Sequence, residues 1–334
     1  MINERQREIL ELIIEEYIKT AKPVSSKALM DTLNCSSATI RSEMNYLEEI
    51  GLLEKTHISS GRVPSEEGYR YYVNNIMVPK ELNGDDILKL QTIFKNNSLV
   101  LSDAIVKSLE IISQLTNCTL IALGESSKQN KVSKVEVIPV NENNVVAIIV
   151  TDKGHVENRN VYIEEKISPL EIKQTVDLIN KYVVGTPLDE VNAKLEFEVK
   201  PVIGENVNYQ RKLFDAFCNF VNDVAHDSSY KVTGASNILK QPEFDDTNKI
   251  RDILSKFEDK EFIKRIKADN NEVSVYIGSE TEFDDNVSII KTKYSIDGEE
   301  GTIALIGPTR MEYDKVTTLL NYIKEEIEHI DNKQ

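Results

Sequence analysis

An α+β chain that opens with a winged helix-turn-helix is what this sequence predicts, and three observations predict it. The run from Ser36 to Leu53 has the pattern of a short polar-faced helix that stops at Gly51 and passes into a strand. Two further helical patterns precede it, and the three together form the core of a helix-turn-helix. After about residue 118 the texture changes: β-rich segments are interrupted by about a hundred residues of helical pattern and then resume, as in one α+β domain carrying an insertion.

Helix 1 is expected from Asn3 to about Thr20. Asn3 caps it with Gln6 three residues on, and Ile9, Leu10, Ile13, Ile14, Tyr17 and Ile18 form one wide apolar stripe. Ala21-Lys22-Pro23-Val24 breaks it, and Ser25 or Ser26 caps a short second helix with Ala28, Leu29 and Leu33 inward. Cys35 ends a tight connection, and Ser36 or Ser37 caps the third helix. Ile40, Met44 and Leu47 fall on its core side, leaving Thr39, Arg41, Ser42 and Asn45 outward. Leu52–Thr56 reads as a strand and His57–Pro64 as a wing tip with its return strand. Ser65 caps a fourth helix carrying Tyr69, Tyr72 and Val73, and Pro79–Asp86 reads as a polar break and hinge.

Two helices are expected between Asp85 and about Asn117, the second with Ile105, Leu109, Ile112 and Leu115 in register. Strands follow at Thr119–Leu123, Lys134–Pro139, Val145–Thr151 and Val156–Ile163, with a hairpin turn at Asp152-Lys153-Gly154. Residues from about Ser168 to Ile266 read as mostly helical. Strands return at Glu272–Ile277, Val287–Tyr294 and Thr302–Ile306, and a final helix carries Val316, Leu319, Leu320, Ile323, Ile327 and Ile330.

At 334 residues, two or three domains are expected. The expected division is 1–78 for the winged helix, 85–165 with 268–334 for the α+β domain, and 166–267 for the inserted helical domain. No stretch approaches the ~20 apolar residues of a membrane span, and the start has no signal-peptide layout. Cys35, Cys118 and Cys218 are odd in number and far apart, so no disulfide scaffold is expected and a reducing cytoplasm fits. The net charge of −16 argues at first against nucleic acid. Residues 1–75, however, carry nine Lys/Arg against twelve Asp/Glu, so most of the excess lies elsewhere. Duplex binding depends on a local positive face, and the modest basic content here implies weak non-specific binding.

In a winged helix the third helix enters the major groove and the wing lies along the backbone or minor groove. Ser37, Thr39, Arg41, Ser42 and Asn45 are therefore the candidate reading face. Arg41 either makes a bidentate contact to guanine O6/N7, worth about 1–3 kcal/mol of discrimination, or pairs with Glu48 or a phosphate. Ser26, Lys27, His57, Ser59, Ser60, Gly61 and Arg62 form the candidate wing and phosphate set. Gly61 permits positive φ in the turn, and Arg62 suits a phosphate or a narrow minor groove. His57 either touches a phosphate or hydrogen-bonds within the wing. Tyr69, Tyr71 and Tyr72 read as core packing, with base stacking the lesser reading. A twofold dimer on an inverted repeat would offset the low charge of one head.

These residues resemble one family over essentially the whole chain, the heat-inducible transcription repressors of the HrcA type. Val24-Ser25-Ser26, Ala38-Thr39-Ile40-Arg41, Met44, Leu47-Glu48 and Gly51-Leu52-Leu53 follow its pattern. So do His57, Ser59, Gly61-Arg62, Pro64, Gly68-Tyr69-Arg70 and Tyr72-Val73. Downstream, Ile277-Gly278, Glu280, Ile306–Met311 and Tyr313 match its C-terminal signature. The resemblance implies a winged helix, a GAF-like α+β domain and an inserted dimerisation domain. It also implies a cytoplasmic homodimer that binds double-stranded DNA at an inverted-repeat operator upstream of chaperone operons and is modulated by a GroEL-type chaperonin. The chain departs from the pattern where Ser42 stands for a usual Asn, Ala21 and Ser25 for usual glycines, and Thr281 for a usual Asn.

An enzyme is not expected. GxxxxGK[ST], HExxH, GxSxG and GxGxxG are all absent, and His57, His155, His226 and His329 lack ligand spacing, so neither cofactor nor metal is expected. Gly307-Pro308-Thr309-Arg310 reads as a turn and helix cap, with anion binding the lesser reading. A metabolite-sensing winged-helix regulator is the nearest alternative, although a GAF-like fold by itself establishes no ligand.

Overall fold

The computed structural model describes residues 2–56, 61–95, 101–124, 130–152, 154, 156–163, 168–203, 208–227, 230–238, 240–296 and 299–331. Helix α1 (Glu4–Thr20) starts at a capping box in which Asn3 accepts from Gln6 N–H and Gln6 accepts from Asn3 N–H, each at 2.9 Å. It buries Ile9, Leu10, Ile13 and Ile14. Helix α2 (Met30–Leu33) is one turn long, and Ser25 Oγ accepts from Ala28 N–H just before it. Ser25 therefore closes the turn over residues 26–29 that leads into α2, whereas α2 itself, with Leu29 at its N-cap position, has no side-chain cap. Helix α3 (Ser37–Glu49) is capped by Ser36 and buries Ile40, Met44 and Leu47, as their spacing requires. Gly51, at φ 81°, lets the chain leave α3, with Leu52 N–H closing back on Leu47 O at 2.9 Å.

Strands β1 (Leu53–Lys55) and β2 (Arg62–Pro64) pair antiparallel, Leu53 facing Pro64. Val24 bridges to Arg62, giving the wing a third short edge. Helix α4 (Glu66–Asn75) is capped by Ser65 and buries Tyr69 and Tyr72. These tyrosines are therefore core residues, not stacking platforms.

Helices α5 (Gly84–Phe94) and α6 (Leu101–Thr116) follow the winged helix. A five-stranded sheet comes next, in the order β7-β3-β10-β9-β8. Its strands are β3 (Thr119–Gly124), β7 (Tyr230–Thr233), β8 (Ser274–Ile277), β9 (Val287–Ile296) and β10 (Glu299–Pro308). The final helix, Tyr313–Asp331, packs on β9 and against α5 and α6. The winged helix and this α+β domain form one compact unit together with the helical segments from Ala235 to Arg265. They share one apolar cluster running from Ile9 to Ile327.

The other compact unit, Leu123–Lys231 with Glu299–Gly301, has its own core. Strands β4 (Val132–Pro139), β5 (Asn144–Thr151) and β6 (Val156–Tyr162) form an antiparallel sheet in that order. Strand β5 alternates inward and outward, burying Val145, Ala147, Ile149 and Thr151. The sheet packs with helices α7 (Pro169–Val183), α8 (Leu188–Lys194), a π-helical stretch Leu195–Val199, α9 (Lys200–Ile203) and α10 (Asn208–Asp227). The remaining helices take the labels α11 (Ala235–Ile238), α12 (Thr247–Glu258), α13 (Lys260–Arg265) and α14 for the final helix. Of the expected Asp152-Lys153-Gly154 turn, Gly154 has the positive φ of 79° that such a turn requires, and Lys153 lies outside the described residues.

The α+β architecture agrees with the sequence, but the division of strands does not. The expected boundaries at 165/166 and 267/268 fall instead at Ala122/Leu123 and Lys231/Val232. Among the described residues, strands β4 to β6 pair only with one another and bury Val132, Val135, Ala147 and Ile149 among α7 to α10. The insertion is consequently α+β rather than helical. Strand β7 also lies inside the stretch read as helical. Among the described residues no helix is long and apolar enough to cross a membrane.

Candidate nucleic-acid interface

The outward face of α3 carries Ala38, Arg41, Ser42, Asn45, Tyr46 and Glu49, all exposed. Its opposite face is fixed in the core by Ile40 and Leu47, both 0% exposed. A second tether is polar: Gln6 Nε2 of α1 donates to Glu43 Oε2 at 2.8 Å. The helix is thereby held with one face free, which is what groove entry demands.

Three of the five predicted reading residues, Arg41, Ser42 and Asn45, stand on that face. Ser37 and Thr39 do not. Ser37 Oγ and Ser26 Oγ share a hydrogen bond of 2.8 Å, and Ser26 is buried. Thr39 Oγ1 lies 2.9 Å from Ser36 Oγ, while Thr39 N–H donates to the same Ser36 oxygen. The Ser36–Thr39 pair caps α3, and the Ser26–Ser37 bond fastens its start to the turn that precedes α2. Ser26 thus leaves the phosphate set, while Lys27 is exposed and stays in it.

The wing requires a larger correction. Arg62 is buried, not displayed at a tip. Its Nη2 donates to Asn45 Oδ1 at 2.7 Å and pairs with Glu48 Oε2 at 2.6 Å, tying β2 to α3. With Glu48 beside it, its charge is neutralised inside the fold rather than offered to a phosphate. Glu48 therefore partners Arg62, not Arg41. Gly61 does not carry the positive φ expected of it. A Cβ there would stand 2.9 Å from the carbonyl group of Pro23, so close approach is what demands glycine. His57, Ser59 and Ser60 lie outside the described residues. The exposed wing cation is Lys55 on β1, opposite Arg62 in the ladder, which sequence reasoning passed over.

A DeoR-like helix-turn-helix domain matches residues 5–63, spanning α1 to the wing. The HrcA protein C terminal domain matches residues 102–317. The heat-inducible transcription repressor HrcA of Bacillus pumilus (strain SAFR-032) is 37% identical over 333 residues, covering 98% of this chain and 97% of that one. The chain belongs to the HrcA family of heat-inducible transcription repressors. HrcA of Lysinibacillus sphaericus is 38% identical over 330 residues, covering 97% of this chain and 96% of its own. A crystal structure of a hypothetical protein at 2.2 Å resolution shares the fold, with TM-score 0.72 and 23% identity over all of this chain and 99% of that one. The HrcA family is one of repressors, not of enzymes.

The HrcA-type strings far apart in sequence meet in space behind α4. Arg70 Nε donates to Glu280 Oε1 at 3.1 Å, and its Nη2 donates to Val275 O at 2.8 Å. Ser279 Oγ donates to Glu66 Oε1 at 2.6 Å, and a Cβ on Gly278 would stand 2.5 Å from Glu66 Oε2. Tyr69 packs on Tyr313 with ring centroids 5.9 Å apart. Arg310 pairs with Glu243, bonds Gln241 Oε1 at 3.0 Å and donates to Ile18 O at the end of α1 at 3.2 Å. Arg310 is thus engaged by protein partners, which removes the anion-binding reading. The spacing of these strings gives no sign of their junction, because their partners lie some two hundred residues away.

Proposed function

We propose that this chain represses chaperone operons as a cytoplasmic homodimer, each protomer placing α3 in one half-site of an inverted-repeat operator. The observation that carries this reading is the exposed row Arg41, Ser42 and Asn45 on a helix whose other face is fixed in the core. Lys27 and Lys55 supply phosphate contacts beside it, and with so few cations a single head binds weakly. Pairing two heads on a twofold site offsets that weakness.

In this reading a GroEL-type chaperonin raises the fraction of chain in the operator-binding form. Heat diverts the chaperonin to other clients, the active fraction falls, and the chaperone genes are expressed. Binding that favours one form shifts its population by mass action. The heat-inducible character in the family's name supports this direction of response. The test is light scattering of the purified chain alongside operator binding after refolding, with and without chaperonin. A dimer whose active fraction rises with chaperonin is expected. A monomer, or refolding to full activity without chaperonin, would overturn the corresponding half of the proposal.

A further inference from the structure

The contact between Arg62 and Asn45 has a consequence for base reading. A free asparagine recognises adenine with both arms, its carbonyl accepting from N6–H2 while its amide donates to N7. Both arms must then lie along the same base edge. Here Asn45 Oδ1 accepts from the Arg62 guanidinium at 2.7 Å, and the Arg62 side chain is 9% exposed. The bond turns the carbonyl toward the protein. The amide is planar, so its N–H2 is carried by the opposite arm of an otherwise exposed side chain.

Arg62 is held in this role from both sides. Its backbone N–H donates to Val24 O at 2.9 Å, and its own carbonyl accepts from Val24 N–H at 2.8 Å. The same Nη2 that reaches Asn45 also meets Glu48, one turn further along α3. The two acceptors stand three residues apart on one side of the helix, where one guanidinium nitrogen bridges both. The charge-assisted pair with Glu48 keeps the donor in place, and a carbonyl held by a charged donor is costly to release.

Resting on the assignment of α3 as the reading helix, we infer that Arg62 is a positioning residue that makes Asn45 a donor-only reader. Asn45 then recognises a base acceptor in the major groove, namely purine N7, guanine O6 or thymine O4. It does not make the two-armed adenine contact, and it accepts no hydrogen bond from an adenine or cytosine amino group.

The test uses the full chain and an inverted-repeat operator recovered by selection from a random duplex library. Analogues are placed one at a time in one half-site. Acceptors are deleted with 7-deazapurines, 2-aminopurine for guanine, or 5-methyl-2-pyrimidinone for thymine; amino groups are deleted with purine for adenine or 2-pyrimidinone for cytosine. Each duplex is titrated with wild type and with Asn45→Ala, so that changes in base pairing cancel. At one position, acceptor deletion should weaken wild type about five-fold more than Asn45→Ala, the size of one net hydrogen bond. Every amino-group deletion should weaken the two proteins alike.

In Arg62→Met, checked for folding by circular dichroism, the freed carbonyl should add an amino-group dependence or abolish the acceptor dependence. If that variant does not fold, the comparison of wild type with Asn45→Ala still decides. A wild-type-specific loss on amino-group deletion, or no acceptor deletion that separates the two proteins, overturns the inference. Arg41→Ala distinguishes the two levels of failure. If it lowers operator selectivity while Asn45 stays uncoupled, only the present inference falls. If neither residue affects selectivity, the assignment of α3 falls with it.

Discussion

At the scale of single residues, the departures from the family pattern acquire physical content. Ala21, which stands for a usual glycine, closes α1 with φ 52° and ψ 26°, and its N–H donates to Tyr17 O at 2.8 Å. The left-handed region costs a residue with a Cβ about 1 kcal/mol, whereas glycine enters it freely. Glycine also gains more freedom in the unfolded chain, which offsets part of the benefit. Ala21→Gly should therefore stabilise the protein by roughly 0.5 kcal/mol, read as a raised midpoint in urea. An unchanged or lowered midpoint would contradict the strain at this cap. Legibility at this scale follows locality. Ser36 and Gly51 were readable because a cap and a helix stop depend on neighbours within four residues. The burial and pairing of Arg62 are not legible in the sequence, because its partners, Asn45 and Glu48, come to it through the fold.

At the scale of elements, the wing depends on close backbone approaches that only glycine allows. A Cβ on Gly68 would stand 2.1 Å from Leu52 O, so α4 lies directly against the start of β1. Ser65 secures the same corner by accepting from Gly68 N–H and donating to Gly51 O. Gly68→Ala should push α4 off the wing at a cost of about 3 kcal/mol, near the upper end of overpacking effects. Calorimetry should show a lower Tm, with operator binding lost before global unfolding. A variant with wild-type Tm would show that α4 shifts without consequence. Strand type was readable at this scale, since the alternation in β5 reports one buried face. Sheet membership was not, because pairing is set by contacts distant in sequence. For this reason the sequence alone does not place strands β4 to β6 in their compact unit.

At the scale of the whole molecule, the buried titratable groups set how stability responds to pH. Burial pushes the Cys118 thiol up to about 12, and burial with Glu196 and Asp215 nearby does the same to Cys218. Burial also raises Tyr69, Tyr294 and Tyr313 above the ordinary tyrosine range. A raised pKa in the folded state means that the unfolded chain releases these protons first. Their contribution is complete below the unfolded values, about 8.5 for Cys and 10 for Tyr, and is lost as pH climbs through the folded ones. The midpoint of unfolding should fall steadily above about pH 9, and a flat profile to pH 11 would contradict the burial. Cys35 is half-buried, whereas Cys118 and Cys218 are buried. Ellman's reagent at pH 8 should accordingly titrate one thiol quickly in the native protein and all three only in denaturant.

We propose that the exposed face of α3 selects the operator while the cations around it bind any duplex. Fluorescence anisotropy tests it most directly, comparing the selected inverted repeat with a scrambled duplex of equal length at one salt concentration. Arg41→Ala should reduce the ratio of the two affinities by about ten-fold or more. Lys27→Ala with Lys55→Ala should weaken both complexes equally and leave the ratio unchanged. An unchanged ratio in Arg41→Ala, or a ratio lost in the double lysine variant instead, would contradict the account.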